Sequence, residues 1–479
     1  NKLNYGLKIC GVEVTDENCD DLSVIDGVTG SVRYSPKFNS LVLENATIST
    51  GDAMMYAIDY NSPNNDSFYI RVHGTCNVLS RQICIGYGGK GDYSSYIYIG
   101  SDATLNLGAP ETTSGNTIAA IYESAPKRIS IVGSYGTSSK LNITTKGRGI
   151  WGEFDENKDL YISSIIANIN SENHCVSGFG DMYIKGGYVK TPWKAQYDKS
   201  LNGIALNGAL VKGNLVISPF DQPGLYINGV LMPSTTADGN PVDVATIVPK
   251  MQNVTWQPEM QVLTFDNSQI DISDKSAMAD IIVPYKIGGN GLFIATKGDN
   301  YFNSGSDEIR FFSSVGSATN ITGNEGSTLK VDNYYGFSIK NSDLIIRNAN
   351  IESTEKIIGS IGSYSNLRIE NSTVAAKNIY NLKYLELVDC KIAKPSDATI
   401  ILKDNLYHIG YNETSPIAYL VRIVPDQGAV ETLDADAAKT ITGIYDLMGR
   451  RVQNVGQGVF IIKYSDGTSQ KVISTKNMR

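Results

Sequence analysis

The stretch Leu41-Val42-Leu43-Glu44-Asn45-Ala46-Thr47-Ile48 decides how this chain is read, because its pattern returns four times. It recurs as Leu263-Thr264-Phe265-Asp266-Asn267-Ser268-Gln269-Ile270 and as Leu344-Ile345-Ile346-Arg347-Asn348-Ala349-Asn350-Ile351. The last two copies are Leu367 to Val374 and Leu385 to Ile392. The common pattern is apolar, any, apolar, any, Asn or Asp, any, any, apolar. Apolar residues two apart share one face of a strand. Asn and Asp tolerate the left-handed conformation and hydrogen-bond their own backbone, so the fifth position is expected to turn a corner. The next apolar residue then points inward again. Looser copies run from Leu160 to Ile162 and from Met182 to Val189.

Leu344 to Leu367 is a step of 23 residues and Leu160 to Met182 one of 22. Repeats of this length indicate stacked architectures. The fold expected is therefore all-β: a right-handed parallel β-helix-like solenoid. An antiparallel sandwich whose hairpins share an Asn turn is the alternative. Blocks near the start return in order further on. Gly6-Leu7-Lys8-Ile9-Cys10-Gly11-Val12 matches Gly224-Leu225-Tyr226-Ile227-Asn228-Gly229-Val230. Val32-Arg33-Tyr34-Ser35-Pro36 matches Val254-Thr255-Trp256-Gln257-Pro258, and each block leads into its own Asn corner. Two homologous halves are expected, 1–220 and 221–430. Each opens with a module suited to capping the open end of a solenoid, with Tyr34 and Trp256 as packing residues.

At 479 residues the chain exceeds one ordinary core unless it is a solenoid. Its 46 glycines and 28 tyrosines suit a turn-rich β protein. A net charge of −8 with no basic stripe argues against a nucleic-acid partner. No apolar run is long enough for a membrane-spanning helix. The six cysteines are too few for a disulfide framework, and no CxxC marks a zinc site. Buried thiols are expected. Cys10–Cys19 and Cys76–Cys84 are the pairs an oxidising compartment would close. No signal peptide is visible and the chain begins at Asn1, so an export signal is expected to have been removed or to lie outside this sequence.

Residues 431–439 are small, polar and acidic, as in a linker. Beyond them Tyr445-Asp446-Leu447-Met448-Gly449-Arg450-Arg451-Val452 is followed by Gly458 to Ile462 and Lys471-Val472-Ile473. This tail resembles the C-terminal secretion-sorting domain of Bacteroidetes exported proteins. The resemblance implies a small β-sandwich-like domain over 431–479 and a place at the cell surface or outside the cell. The two halves resemble repeat regions of adhesin-like or carbohydrate-binding Bacteroidetes surface proteins, on Tyr5-Gly6-Leu7, Gly11-Val12, Val32 to Pro36 and Leu41 to Ile48. That implies a parallel β-helix and a glycan or surface-protein partner.

Catalysis leaves little trace in the sequence. Glycoside hydrolysis needs two carboxylates at a set separation. Asp20-Asp21 is the one adjacent aspartate pair, and it lies in the opening loop. Glu153, Asp155, Glu156 and Asp159 are read as an exposed turn, with calcium binding as the lesser alternative. His73, His174 and His408 have no nucleophile in a recognisable motif beside them and are read as surface or packing residues. No cofactor is implied. Exposed aromatics beside polar groups are the signature of sugar binding. Two loops carry it: Tyr87, Asp92, Tyr93 and Tyr96, and then Trp193 and Tyr197. A non-catalytic surface binding protein is thus the leading expectation. A lyase or hydrolase on the same scaffold, or a structural stalk, are the alternatives. A carboxylate cluster under a groove would favour the enzyme; a flat aromatic face would favour binding.

Overall fold

The computed structural model describes residues 3–89, 93–110, 118–272, 280–304, 309–332, 335–426, 441–446, 450–452, 458–464 and 469–474. The side chains of 154–156, 441, 458, 464, 470 and 472–474 within these spans are not among those described. The expected linker 431–439 falls outside them. The chain divides into two compact units, Asn1–Asp426 and Gln427–Arg479. Both are all-β, with no α-helix among the described residues.

The larger unit is built of layers whose strands pair in parallel, residue on residue. In the first half, Leu41 pairs with Ile70, Ile70 with Ile97 and Ile97 with Ile131; the row continues through Ile162 to Ile184. All six side chains are buried. A second ladder aligns Ile48, Val78, Leu107, Ile143 and Ile169. A third aligns Ile58, Ile85, Ile121, Ile150 and Val176. The second half has three ladders as well. One carries the row Leu263, Ile294, Ile321, Ile346, Ile369 and Leu387. Alternation along each strand sends every second side chain into the interior. Each fully buried Ile or Leu contributes about 1.5–3 kcal/mol of transfer free energy.

The corner expected from the sequence is present in every copy. Asn45, Asn267, Asn348, Asn371 and Asp389 all have φ between 43° and 52°. Each lies between a strand of one ladder and a strand of the next, and the looser copy uses Gly186 with φ 67°. The corners also interlock between layers. Asn45 Oδ1 accepts the N–H of Thr75 at 3.2 Å, and Asn267 Oδ1 accepts that of Asp299 at 3.3 Å. The residues above these corners are Gly74 and Gly298, at φ 64° and 61°. A methyl group on either would lie 2.1 Å from the Asn oxygen below it. Glycine is therefore required there twice, by backbone conformation and by space.

Parallel register stacks outward side chains too. Asn168, Asn142, Asn106 and Asn77 form an amide ladder in which each Nδ2 donates to the next Oδ1 at 2.9 Å. Asn77 Nδ2 ends the run on Thr47 Oγ1 at 3.1 Å.

Antiparallel segments flank the parallel layers. Asn4–Ile9 and Val12–Thr15 form a hairpin against Tyr56–Ser62. Gly224–Ile227 and Val230–Leu231 do the same against Asp280–Tyr285. Both hairpins turn through two residues of positive φ, Cys10-Gly11 and Asn228-Gly229. That is the conformation a two-residue turn needs to match strand twist. The second matched block agrees in register. Tyr34 pairs with Leu41 and Trp256 with Leu263, and both aromatics are buried. At the far end Val421–Pro425 runs antiparallel to Thr373–Ala376 and Cys390–Lys394.

All six cysteines are free; Cys10 and Cys390 are half-buried and the other four buried. Burial pushes the Cys10 thiol up to about 11 and the Cys84 thiol up to about 12. In the smaller unit the described residues form one four-stranded antiparallel sheet, in the order Arg451–Val452, Ile441–Asp446, Gly458–Tyr464, Ser469–Ser474. The second sheet of a sandwich is not among them.

Gly298→Ala is expected to lower stability well beyond Gly326→Ala. Both glycines have positive φ, so both variants incur about 1–2 kcal/mol for a left-handed Cβ, while only Gly298 has no room for it. Urea unfolding of the two variants measures the difference. In the amide ladder, Asn106→Ala removes two hydrogen bonds and Asn168→Ala one. At about 0.5–1.5 kcal/mol per bond, the first is expected to cost roughly twice the second by the same assay.

Candidate functional site

The outward side of the first ladder carries the most distinctive chemistry of the larger unit. Where Ile70 and Ile97 point in, their neighbours point out. Tyr69 pairs with Tyr96, Tyr96 with Ser130, Ser130 with Tyr161 and Tyr161 with Tyr183. One column therefore holds four tyrosines in five successive layers. The adjacent column places Arg71 beside Tyr98. Layer spacing in a parallel sheet is about 4.8 Å, which suits ring stacking.

The rings use that spacing. Tyr69 and Tyr96 stack at 5.0 Å between centroids with planes 9° apart. Tyr98 shares their orientation, at 5.8 Å from Tyr96 and 6.3 Å from Tyr69. The Arg71 guanidinium lies 5.2 Å from the Tyr98 centroid and 5.8 Å from that of Tyr69. Arg71 is exposed, while the three rings are half-buried. Burial raises the Tyr98 phenol, and Tyr96 and Tyr69 raise it further. It therefore stays protonated and able to donate at neutral pH. A depression of about 270 Å³ adjoins the stack, with Arg71, His73, Tyr98 and Ser134 on its wall. Further along the face, Arg128 pairs with Asp159 at 2.9 Å and lies 5.5 Å from the Tyr183 ring. The arrangement offers aromatic rings, phenol hydroxyls and a guanidinium on one face. It suits a hydroxyl-rich ligand better than an apolar one.

The corresponding face of the second half is different. There Arg347 pairs with Glu370 at 2.9 Å, and Arg368 with Glu370 and Glu386 at 3.5 and 3.2 Å. Partly exposed ion pairs of this kind neutralise one another and contribute little individually.

The residues singled out in the sequence are distributed over three places. Tyr96 is part of the stacked face. Tyr87 and Tyr93 are interior, each 1% exposed, and present no ring to solvent. In the strand Ile83–Gly89 the first five residues are all buried, and Cys84, Ile85 and Tyr87 belong to the core. Tyr87 packs edge-on to Phe68, Tyr60 stacks on Phe68 at 4.0 Å, and Tyr93 meets Tyr60 edge-on. Tyr93 donates its hydroxyl to the Gly88 carbonyl at 2.8 Å. Asp92 lies outside the described residues. Trp193 and Tyr197 both lie where the halves meet, on the walls of two different cavities. Trp193 is 51% exposed, whereas the Tyr197 hydroxyl is tied down between the Phe179 and Gly180 carbonyls. Tyr69, Arg71 and Tyr98 were not singled out. The alternation in Phe68-Tyr69-Ile70-Arg71-Val72 and Tyr96-Ile97-Tyr98-Ile99 carried their signal.

The acidic cluster is accounted for in part. Glu153 accepts a hydrogen bond from Tyr122 at 3.1 Å, Asp159 is paired with Arg128, and the side chains of Asp155 and Glu156 lie outside those described. Asp21 caps the short turn Leu22–Val24. His73 is exposed, His174 is half-buried, and His408 is buried, its Nδ1 accepting the Asn381 N–H at 3.3 Å. Burial lowers the imidazoles of His174 and His408. Among the described residues no three His, Cys, Asp or Glu side chains are grouped to hold a metal ion, and no helix is long and apolar enough to cross a membrane. No protein family, no curated protein and no solved structure significantly matches the chain.

Proposed function

We propose that this chain is an exported cell-surface binding protein of the adhesin-like, carbohydrate-binding kind found in Bacteroidetes. In this reading it contacts glycans through the tyrosine face of its first half. Its larger unit is a right-handed parallel β-helix-like coil, made of two homologous halves that each return through three ladders per layer. The parallel registers and the shared left-handed corners support the coil. The matching hairpins and the Tyr34 and Trp256 registers support the duplication. The tail's likeness to secretion-sorting domains supports export.

One observation carries the functional reading: the parallel stack of Tyr69, Tyr96 and Tyr98 with Arg71 against it. Rings locked to one another lose little freedom when a ligand arrives. A row of phenols and a cation can hydrogen-bond sugar hydroxyls along the stack. Charge-paired side chains occupy the same face in the second half, which supports a contact in the first. A flat aromatic face was the feature expected to separate binding from catalysis.

A glycan array on the purified chain tests this, with Tyr96→Ala and a combined Tyr69→Ala, Tyr98→Ala variant beside it. Binding to a defined glycan set, lost by about tenfold or more in both variants at unchanged melting temperature, is the expected result. Binding indifferent to both variants would remove the tyrosine face from the account. Absence of binding to every glycan would favour a protein partner or a structural stalk. Release of reducing ends during the assay would favour an enzyme.

A further inference from the structure

The two halves of the larger unit meet around Trp193-Lys194, and a cavity opens on each of these two residues. The first is a groove of about 550 Å³ walled by Trp193, Pro233, Gln222 and Gln261. The second, about 480 Å³, is walled by Lys194, Lys199, Lys250, Gln196, Asn207 and Asn228. Neither exists in one half alone, because each draws residues from both sides of the junction.

Trp193 is large, exposed and yet fixed. Its indole N–H donates to the Leu231 carbonyl at 3.0 Å. The one polar atom of the ring is thereby satisfied, and the rest is available for contact with C–H groups. The ammonium of Lys194 lies 4.7 Å from the indole centroid, so aromatic face and cation are adjacent. Lys194 itself has φ 71°, a left-handed conformation uncommon for a long side chain and more frequent at functional sites.

The second cavity is positive in a chain whose net charge is −8. Its wall holds the ammonium groups of Lys194 and Lys199 against one carboxylate, Asp198, and Lys250 also lines it. Asp198 is occupied locally, accepting the N–H and O–H of Ser200 at 2.9 and 2.6 Å. Lys194 and Lys199 donate to neutral carbonyls, Thr246 at 3.4 Å and Gly180 at 2.7 Å, which do not cancel their charge. Amides from Gln196, Asn207 and Asn228 complete a wall suited to hydroxyl groups.

We propose that this junction is a binding site for an acidic saccharide. A sugar ring lies against Trp193, and its carboxylate or sulfate lies beside Lys194 and Lys199. The inference rests on the glycan-binding reading and gives it a ligand class at a second place on the molecule. Lysines bind such groups as point charges, so affinity falls with ionic strength.

Isothermal titration of the whole chain with three probes tests it: an oligogalacturonate, a heparin-derived tetrasaccharide and neutral cellotetraose. The variants are Trp193→Ala and a combined Lys194→Gln, Lys199→Gln. Expected is binding of at least one acidic probe, weakened about tenfold or more in each variant and by added salt. The uronate and sulfate arms tell which anion is preferred. Trp193→Ala also removes a bond to Leu231, so the lysine variant, with its melting temperature measured, carries the decision. Acidic binding unaffected by the lysine variant would overturn the proposal. So would binding of cellotetraose alone, which would leave the tyrosine-face reading standing. No binding of any probe here, with binding on the array still sensitive to Tyr96→Ala, would overturn this site only.

Discussion

The larger unit depends on one constraint: a residue that tolerates positive φ must stand at the same corner of successive layers. Without it a strand cannot leave one ladder and enter the next in register. Asn45, Asn267, Asn348, Asn371 and Asp389 meet the requirement with a side chain that also bonds. Gly74 and Gly298 meet it with no side chain, and so leave room for the Asn oxygen of the layer below. Gly over Asn fits one layer to the next at these two corners, whereas Asn371 donates its Nδ2 to Asn348 Oδ1 at 2.8 Å. Once corners align, the buried rows from Leu41 to Ile184 and from Leu263 to Leu387 follow, since period-2 alternation leaves only one face for them.

The same register that aligns the core also aligns the surface. Outward residues one layer apart are held at nearly fixed spacing, so side chains of one kind become arrays. The first half uses this for the Asn77 to Asn168 ladder and for the Tyr69, Tyr96 and Tyr98 stack. The second half fills the corresponding face with Arg347, Arg368, Glu370 and Glu386. The larger unit thus presents two unlike surfaces, one aromatic and one charge-paired. At the junction of the halves, Trp193 and Lys194 add a recessed place of a third character.

Much of this was legible in the sequence, and the reason is local. The corner motif, the two-residue hairpins at Cys10-Gly11 and Asn228-Gly229, and the Tyr34 and Trp256 blocks are each set by residues close in the chain. What was hidden depends on register between layers. Tyr69 and Tyr96 are 27 residues apart, whereas Ile97 and Ile131 are 34 apart. Loops of unequal length between layers erase any fixed period. The asparagine ladder was invisible for the same cause. The glycines around Tyr87 and Tyr93 make both read as loop residues. Yet Ile85 and Tyr87 stand two apart on one strand, and both face the core beside Phe68. Trp193 was legible because an aromatic between Pro192 and Lys194 stands out in any context, although its partner Leu231 was not.

Parallel, in-register layering is the claim on which the rest stands, and paired cysteines test it most directly. Thr264 and Ala295 are neighbours on the outward side of one ladder, as are Ala295 and Thr322. Stacked strands bring such pairs within the roughly 4.4–6.8 Å between Cα atoms that a disulfide requires. The account predicts that Thr264→Cys with Ala295→Cys, and Ala295→Cys with Thr322→Cys, each cross-link under mild oxidation. Peptide mapping identifies the bond. It also predicts that Thr264→Cys with Ile294→Cys, one residue out of register, does not. Cross-linking of the slipped pair instead, or failure of both in-register pairs, would contradict the layered register.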